Sequence, residues 1–331
     1  MNKKKITIIA TIVLIVLIVP SIFIGSTLWF YGQAILFGEE QITQVSAEIV
    51  ANETDEISRL NKLVDWVTNQ ENMVYDAHLI YFYPILSFWL FRLQDPAYIM
   101  VTMRGGCGET ALLFNAMANS IGIQTRMVHN PGEDHAWCEV FVNGSWLHFD
   151  PGLSENYRFN DPHFYERSEH GWRKPLSYVY ALDPNGTEID VTNKYTDTGK
   201  LTVFVENNDL AVENAKITIK SRSLIDNFGY SDPHFCMEKY TNSSGICEFS
   251  LGGNNYTITA ETGTFFGSKS EIVYQVTEQN SSFITFSPTG FTLLPSIWSV
   301  VTMLLTIFFC SVFMLVCSEI LIKRYFNQNQ K

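Results

Sequence analysis

Hydrophobic positions along this 331-residue chain fall into three textures, continuous at both ends, helical or alternating in the middle, and strictly strand-like after that. Ile6 to Trp29 is nearly all Ile, Val, Leu and Phe, and Phe291 to Cys317 holds no charged residue. Each run is long enough to cross a bilayer core as a helix. Lys3, Lys4 and Lys5 precede the first run, and Lys323 and Arg324 follow the second. Basic flanks of this kind predict both termini in the cytoplasm and the main domains outside it. A cleaved signal peptide is the rival reading of the first run. The length of the run and the lack of a small-x-small cleavage site favour an anchor.

Between the ends the period changes. Ile57, Leu60, Leu63, Val64 and Val67 recur at three- and four-residue spacing, which predicts an amphipathic helix over 54–69 with Thr54 as its cap. His78 to Phe91 is apolar but too short to span, so it reads as a buried segment or as a surface resting on the membrane. Ala111, Leu112, Phe114, Ala116, Met117 and Ala118 keep a helical rhythm over 108–121, and Gly122 is a natural stop. Ile123 to His129 alternates as a strand does. His135–Val142 and Ser145–Asp150 form two further strand-like runs joined by Asn143-Gly144, a strong two-residue hairpin signal.

From Lys200 onward the texture is short strands and turns: 201–205, 215–219, 247–251, 256–260 and 271–276. The predicted architecture is an α+β domain over 40–195 and a small β-sandwich over 198–288. These are flanked by transmembrane helices at 6–30 and 292–318, with cytoplasmic tails at 1–5 and 319–331. The string Asp-Pro-His-Phe occurs at 161–164 and again at 232–235, in such different textures that it reads as coincidence.

The formal charge is −12, and all but Glu319 of the 34 acidic residues lie between the two apolar runs. No basic stripe is present, which argues against a nucleic-acid partner. Sequons begin at Asn52, Asn143, Asn185, Asn242, Asn255 and Asn280, all in the region expected outside, and they make the chain a candidate glycoprotein. Of the six cysteines, Cys310 and Cys317 read as apolar packers in the second span. Cys236 and Cys247 bracket a turn and are either a disulfide or two buried thiols. Cys107 and Cys138 are expected to be free.

The chemistry concentrates in three short blocks: Arg104-Gly-Gly-Cys107-Gly-Glu109, Asp134-His135-Ala-Trp137, and Trp146-Leu-His148-Phe-Asp150-Pro151. In order they supply a thiol, an imidazole and a carboxylate, the parts of an activated nucleophile, its base and the group that orients the base. Cys107 stands at the mouth of a helix, where the helix dipole favours thiolate and the backbone N–H faces a developing oxyanion. Counting outward from the Asn143-Gly144 turn sets Trp137 opposite Asp150. That makes His135 and Asp150 diagonal neighbours within side-chain reach. His148 shares the face of Asp150 and is the main competitor for a place near the site. His129, Asp134, His135 and His148 lack a compact metal-binding spacing, so no metal and no cofactor are expected.

At these blocks the chain resembles the transglutaminase-like superfamily, which shares its thiol triad with papain-type enzymes. The resemblance covers roughly 54 to 155, and the glycine-flanked cysteine is similar to that of the peptide N-glycanases within the superfamily. Those enzymes carry paired-cysteine zinc ligands that this chain lacks. The resemblance implies Cys107 as nucleophile, His135 as general base and acid, and Asp150 as orienting group. A second oxyanion donor comes from upstream of the nucleophile in the family, with Trp89 and Gln94 as candidates here. The later domain is similar to carboxypeptidase-regulatory-like sandwiches, which implies a spacer or adhesive module. The implied function is a membrane-anchored thiol acyl-transfer enzyme acting on peptide or carboxamide bonds, with a cell-surface peptide or protein as substrate and the lipid bilayer as a further partner. The alternative is a non-catalytic binding or adhesion module on the same fold.

Overall fold

A computed structural model describes residues 29–75, 95–167, 174–183, 185–222, 237–263, 266–287 and 292–293. The chain divides into two units, Met1–Thr198 with Ser223–Phe235, and Gly199–Arg222 with Cys236–Lys331.

The first unit opens on a helical segment that passes through a π turn, Ala34–Gly38, into helix α1 (Glu39–Ile49). A Cβ on Gly38 would lie 2.6 Å from that of Ala97, so glycine is what lets these two backbones meet. Helix α2 (Glu56–Val67) follows the expected rhythm and buries Leu60, Leu63, Val64 and Val67. Its cap is Asp55, one residue after the expected Thr54. The Asp55 carboxylate accepts the Ser58 N–H at 2.8 Å and faces the positive end of the helix.

Strand β1 (Val74–Tyr75) pairs in parallel with β2 (Arg104–Gly105), and helix α3 (Pro96–Thr102) lies between them in sequence. Helix α4 runs over Cys107–Ser120, starting one residue earlier than its periodicity suggests. It ends at Gly122, whose φ of +83° lets the Gly122 and Ile123 N–H groups turn back onto the Asn119 and Ala118 carbonyls.

Five strands then make one antiparallel sheet: β3 (Thr125–Asn130), β4 (His135–Val142), β5 (Ser145–Phe149), β6 (Tyr180–Leu182) and β7 (Glu188–Asp190), in spatial order β5-β4-β3-β6-β7. The hairpin register is the expected one, with Val142 opposite Ser145 and Cys138 opposite Phe149. Asn143 and Gly144 both have positive φ, as a type I′ turn requires. Short helices α5 (Glu155–Arg158), α6 (Phe164–Arg167) and α7 (Thr192–Tyr195) decorate the sheet.

Strand β4 is covered on both sides. Ala136, Cys138 and Val140 share one core with Ala111, Phe114 and Met117 of α4. Trp137 points the other way, into a second core with Val128, Ala181 and Tyr195.

The second unit is all β. Its strands are β8 (Thr198–Asn207), β9 (Leu210–Ala211), β10 (Lys216–Ser221), β11 (Met237–Tyr240), β12 (Ile246–Gly252), β13 (Asn255–Gly263), β14 (Phe266–Gln275), β15 (Ser281–Phe286) and β16 (Thr292–Leu293). One sheet has the order β11-β10-β13-β14-β16, and the other β12-β8-β15 with β9 beside β8. Every strand-like run expected after Lys200 falls on one of these strands. Burial alternates with period two: Leu201, Val203 and Val205 on β8, and Ile217 and Ile219 on β10, are fully buried.

The expected membrane topology is corrected. Among the described residues no helix is long and apolar enough to cross a membrane. The described helical segment that follows the first apolar run enters α1, whose first turn carries Glu39 and Glu40. The runs themselves, 1–28 and 294–331 with their flanks, lie outside the described residues, as does the apolar stretch 78–91. Apolar length in a sequence is a condition for a span, not a demonstration of one. The two-pass cell-membrane location with extracytoplasmic domains, and the bilayer as a partner, are withdrawn.

Candidate active site

The thiol is positioned by a tight approach. A Cβ on Gly105 would lie 2.2 Å from the Cβ of Glu109, so only glycine admits the chain here. Glu109, buried in the first turn of α4, accepts the Gly106 N–H at 2.8 Å through its carboxylate. This carboxylate pins the loop that delivers Cys107 to the first position of the helix.

The imidazole is positioned by a turn. Asn130 accepts the Glu133 N–H at 3.2 Å, and Asp134 takes a left-handed φ of +53°, which redirects the chain into β4 at His135. The carboxylate is positioned where β5 ends. Asp150 donates its N–H to the Arg158 carbonyl at 2.9 Å, and its Oδ1 accepts the Gly152 N–H at 2.6 Å.

That leaves Asp150 Oδ2 for the histidine, and it lies 2.8 Å from His135 Nε2. The diagonal contact expected from the hairpin count is present. The Cys107 sulfur lies near enough to act on the charge of the same imidazole. Burial alone would discharge His135, but the Asp150 carboxylate and the Cys107 sulfur outweigh it and lift the imidazole to about 10. Burial works against the Asp150 carboxylate too, and the His135 charge and hydrogen bond more than offset it, so its pKa is lowered. The pair is therefore held as imidazolium and carboxylate. A cavity of about 450 Å³ opens beside it, lined among others by Cys107, His135 and Asp150, with Thr68, Gln70 and Asp134 contributing polar walls.

Sequence patterns did not reveal Tyr165. Its hydroxyl donates to Asp150 Oδ2 and lies 2.9 Å from His135 Nε2. It follows directly on the Asp-Pro-His-Phe string at 161–164, whose repetition carried no hint of a role. Trp137 packs its ring 5.5 Å from that of His135 and donates its Nε1–H to the Tyr195 hydroxyl at 3.1 Å. Tyr195 in turn donates to the fully buried Glu139 at 2.9 Å, and Arg126 and Lys194 neutralise that carboxylate. His148, the expected competitor, is fully buried among the rings of Trp137, Tyr165 and Tyr195, and burial pulls it down to about 4. It is neutral at ordinary pH and has no polar role in the contacts seen.

Cys107 and Cys138 are free thiols, as expected. Cys138 lies between β4 and α4 and donates to the Ala111 carbonyl at 3.2 Å. Cys247 is likewise a free, buried thiol, pushed up to about 12 by burial, while Cys236, its partner in one of the two readings, lies outside the described residues. Trp89 and Gln94, the candidate oxyanion donors, also lie outside them. Among the described residues no three His, Cys, Asp or Glu side chains are placed to hold a metal ion.

A buried carboxylate–imidazole pair beside a helix-mouth thiol is the constellation of thiol acyl-transfer folds. Residues 43–151 match the family model described as the Transglutaminase-like superfamily, and this part of the chain is a transglutaminase-like domain. The domain is 39% identical over 106 residues to the peptide-N(4)-(N-acetyl-beta-glucosaminyl)asparagine amidase of Eremothecium gossypii, covering 31% of this chain and 28% of that enzyme. It is 37% identical over 106 residues to the enzyme of the same name from Saccharomyces cerevisiae, covering 31% and 27%. This chain thus spans less than a third of the length of these curated relatives. Among solved structures, a putative cysteine protease from Cytophaga hutchinsonii aligns with 16% identity over 37% of this chain and 40% of that one, at a TM-score of 0.28.

Proposed function

We propose that the chain is a cysteine-dependent amidase that hydrolyses carboxamide bonds, with Cys107 as nucleophile, His135 as general base and acid, and Asp150 as the group that orients the imidazole. The observation that carries this reading is the 2.8 Å contact of His135 Nε2 with Asp150 Oδ2, with Cys107 and the same imidazole lining one open cavity. The relatives' names, which end in asparagine amidase, point to a side-chain carboxamide of a peptide or glycopeptide as the bond attacked.

In the first half-reaction the Cys107 sulfur, its proton already on the His135 imidazolium, bonds to the carbonyl carbon. The oxyanion that forms meets the Cys107 N–H, one of the N–H groups that a helix start leaves without an intrahelical partner. The tetrahedral species collapses by breaking its C–N bond, and the leaving nitrogen takes the proton from His135. Water then attacks the thioester, giving its proton to His135, and the sulfur leaves as thiolate beside the restored imidazolium. The open cavity and its polar walls suit water as the acceptor.

The domain boundaries that go with this reading are 40–195 for the enzyme and 198–288 for a β-sandwich. The two sheets of the second unit and their alternating burial support a sandwich with a spacer role.

The test is turnover of an asparagine-linked N-acetylglucosaminyl peptide and of simple asparagine and glutamine peptides, followed by mass spectrometry of the acyl adduct. Wild-type protein should release the amine and trap an adduct on Cys107. Full turnover retained by Cys107→Ala would refute the assignment.

A further inference from the structure

The carboxylate oxygen that holds His135 also takes a second donor. Tyr165, nearly inaccessible to solvent on α6, gives its hydroxyl hydrogen to the same Asp150 Oδ2, and its oxygen lies 2.9 Å from His135 Nε2. Its ring also meets that of His135 edge-on, with centroids 5.3 Å apart. We propose that Tyr165 is a positioning residue, a fourth member of the site whose hydroxyl shares Asp150 with His135 and sets how strongly that carboxylate holds the imidazole. The proposal rests on the amidase reading and deepens it.

A carboxylate oxygen that accepts two hydrogen bonds spreads its charge over both and offers less to each. Asp150 Oδ1 is already occupied by the Gly152 N–H, so Oδ2 is where His135 and Tyr165 meet. The phenol cannot answer by ionising, because burial and the Asp150 charge push Tyr165 well above its ordinary value. It acts as a donor throughout the working range. The other titratable groups coupled to this trio are Cys107 from α4, Cys138 from β4, His148 from β5 and Tyr195 from α7, and His148 in turn feels Asp161 and Lys194. Among these, only Tyr165 hydrogen-bonds Asp150 Oδ2 together with His135.

The experiment measures alkylation of Cys107 by iodoacetamide, and kcat and KM for the amide substrate, across pH in the full chain. In Tyr165→Phe the alkaline limb should move up by about half a pH unit or more, because the imidazolium then has Oδ2 to itself. At neutral pH kcat should fall roughly tenfold with KM nearly unchanged, since a more tightly held imidazolium gives its proton to the leaving nitrogen less readily. Replacement of Tyr165 by 3-fluorotyrosine keeps the ring and strengthens the donor. It should move the limb down, and it serves as the test if Tyr165→Phe does not fold. Wild-type Cys107 reacting no faster than a free thiol would overturn the amidase reading and this proposal together. A fast wild type with superimposable pH profiles for the variants would overturn the role of Tyr165 alone.

Discussion

The two units of this chain bury different things. In the second unit the described buried polar residues are Ser221, Thr241 and Thr259, hydroxyls that cost little to satisfy. In the first, Glu109, Glu133, Glu139, Asp150, Arg158 and His148 are all removed from water. Each buried ionic group needs a partner with good geometry or it destabilises the fold, and almost all of these have one. Glu133 accepts from the Ser177 N–H and hydroxyl, Glu139 from Arg126, Lys194 and Tyr195, and Asp150 from Gly152, His135 and Tyr165. A sheet covered on one face can be built from alternation alone. A sheet covered on both faces, with chemistry at one edge, must carry a polar network through its core.

The largest expected break in this contrast comes from Asp150. Asp150→Asn should lower kcat about 10⁴-fold by stabilising the wrong imidazole tautomer. Asp150→Ala should cost the first unit about 3–5 kcal/mol in denaturant melts, since it leaves the His135 imidazolium uncompensated. Phe249→Ala, on the fully apolar side of the comparison, should cost a similar ~3–5 kcal/mol while leaving Cys107 alkylation unchanged. Loss of Cys107 reactivity in that variant would show that the contrast between the units is not one of independent folds.

Acid should separate the units next. His129 and His148 are both held near 4 by burial, so protons bind the unfolded chain first as pH falls below its histidine value of 6.5. Each therefore withdraws stability from the first unit between about 6.5 and about 4. His135 has the opposite sign. Its contribution is complete below 6.5 and is lost as pH rises through about 10. Asp150, with a lowered pKa, contributes above its ordinary value of 3.8 and loses that as pH falls through its folded value. Thermal melts monitored by tryptophan fluorescence across pH 4–7 should show the first unit weakening, with the effect reduced in His148→Phe. Gly144→Ala is the smallest perturbation. Space around Gly144 is open, but φ is +81°, so the cost should be about 1 kcal/mol of strain with the hairpin register kept.

Much of the first unit was readable because its determinants are local. The Asn143-Gly144 turn dictates which residues face each other, and from that count the approach of His135 to Asp150 follows without any structure. The thiol was readable too, because three glycines followed by a helical rhythm mark a helix mouth. Where two neighbouring residues could serve equally, reading stopped short: Thr54 and Asp55 are both good caps, and only the approach of the Ser58 N–H chose Asp55. The apolar ends show the opposite hazard. Their length was legible, but location is a property of how and where a run is used.

By itself, then, the order of residues determined the helix that carries Cys107, the hairpin that aligns His135 with Asp150, and the period-two strands of the second unit. Each of these rests on contacts within a few residues or on a repeating pattern. Only the tertiary structure decided that Tyr165 reaches Asp150, that Glu133 clamps Ser177 across 44 positions, and that β15 pairs in parallel with β8. Contacts between distant segments leave no period in a sequence. They are selected by which buried polar groups must be satisfied once the chain has closed on itself.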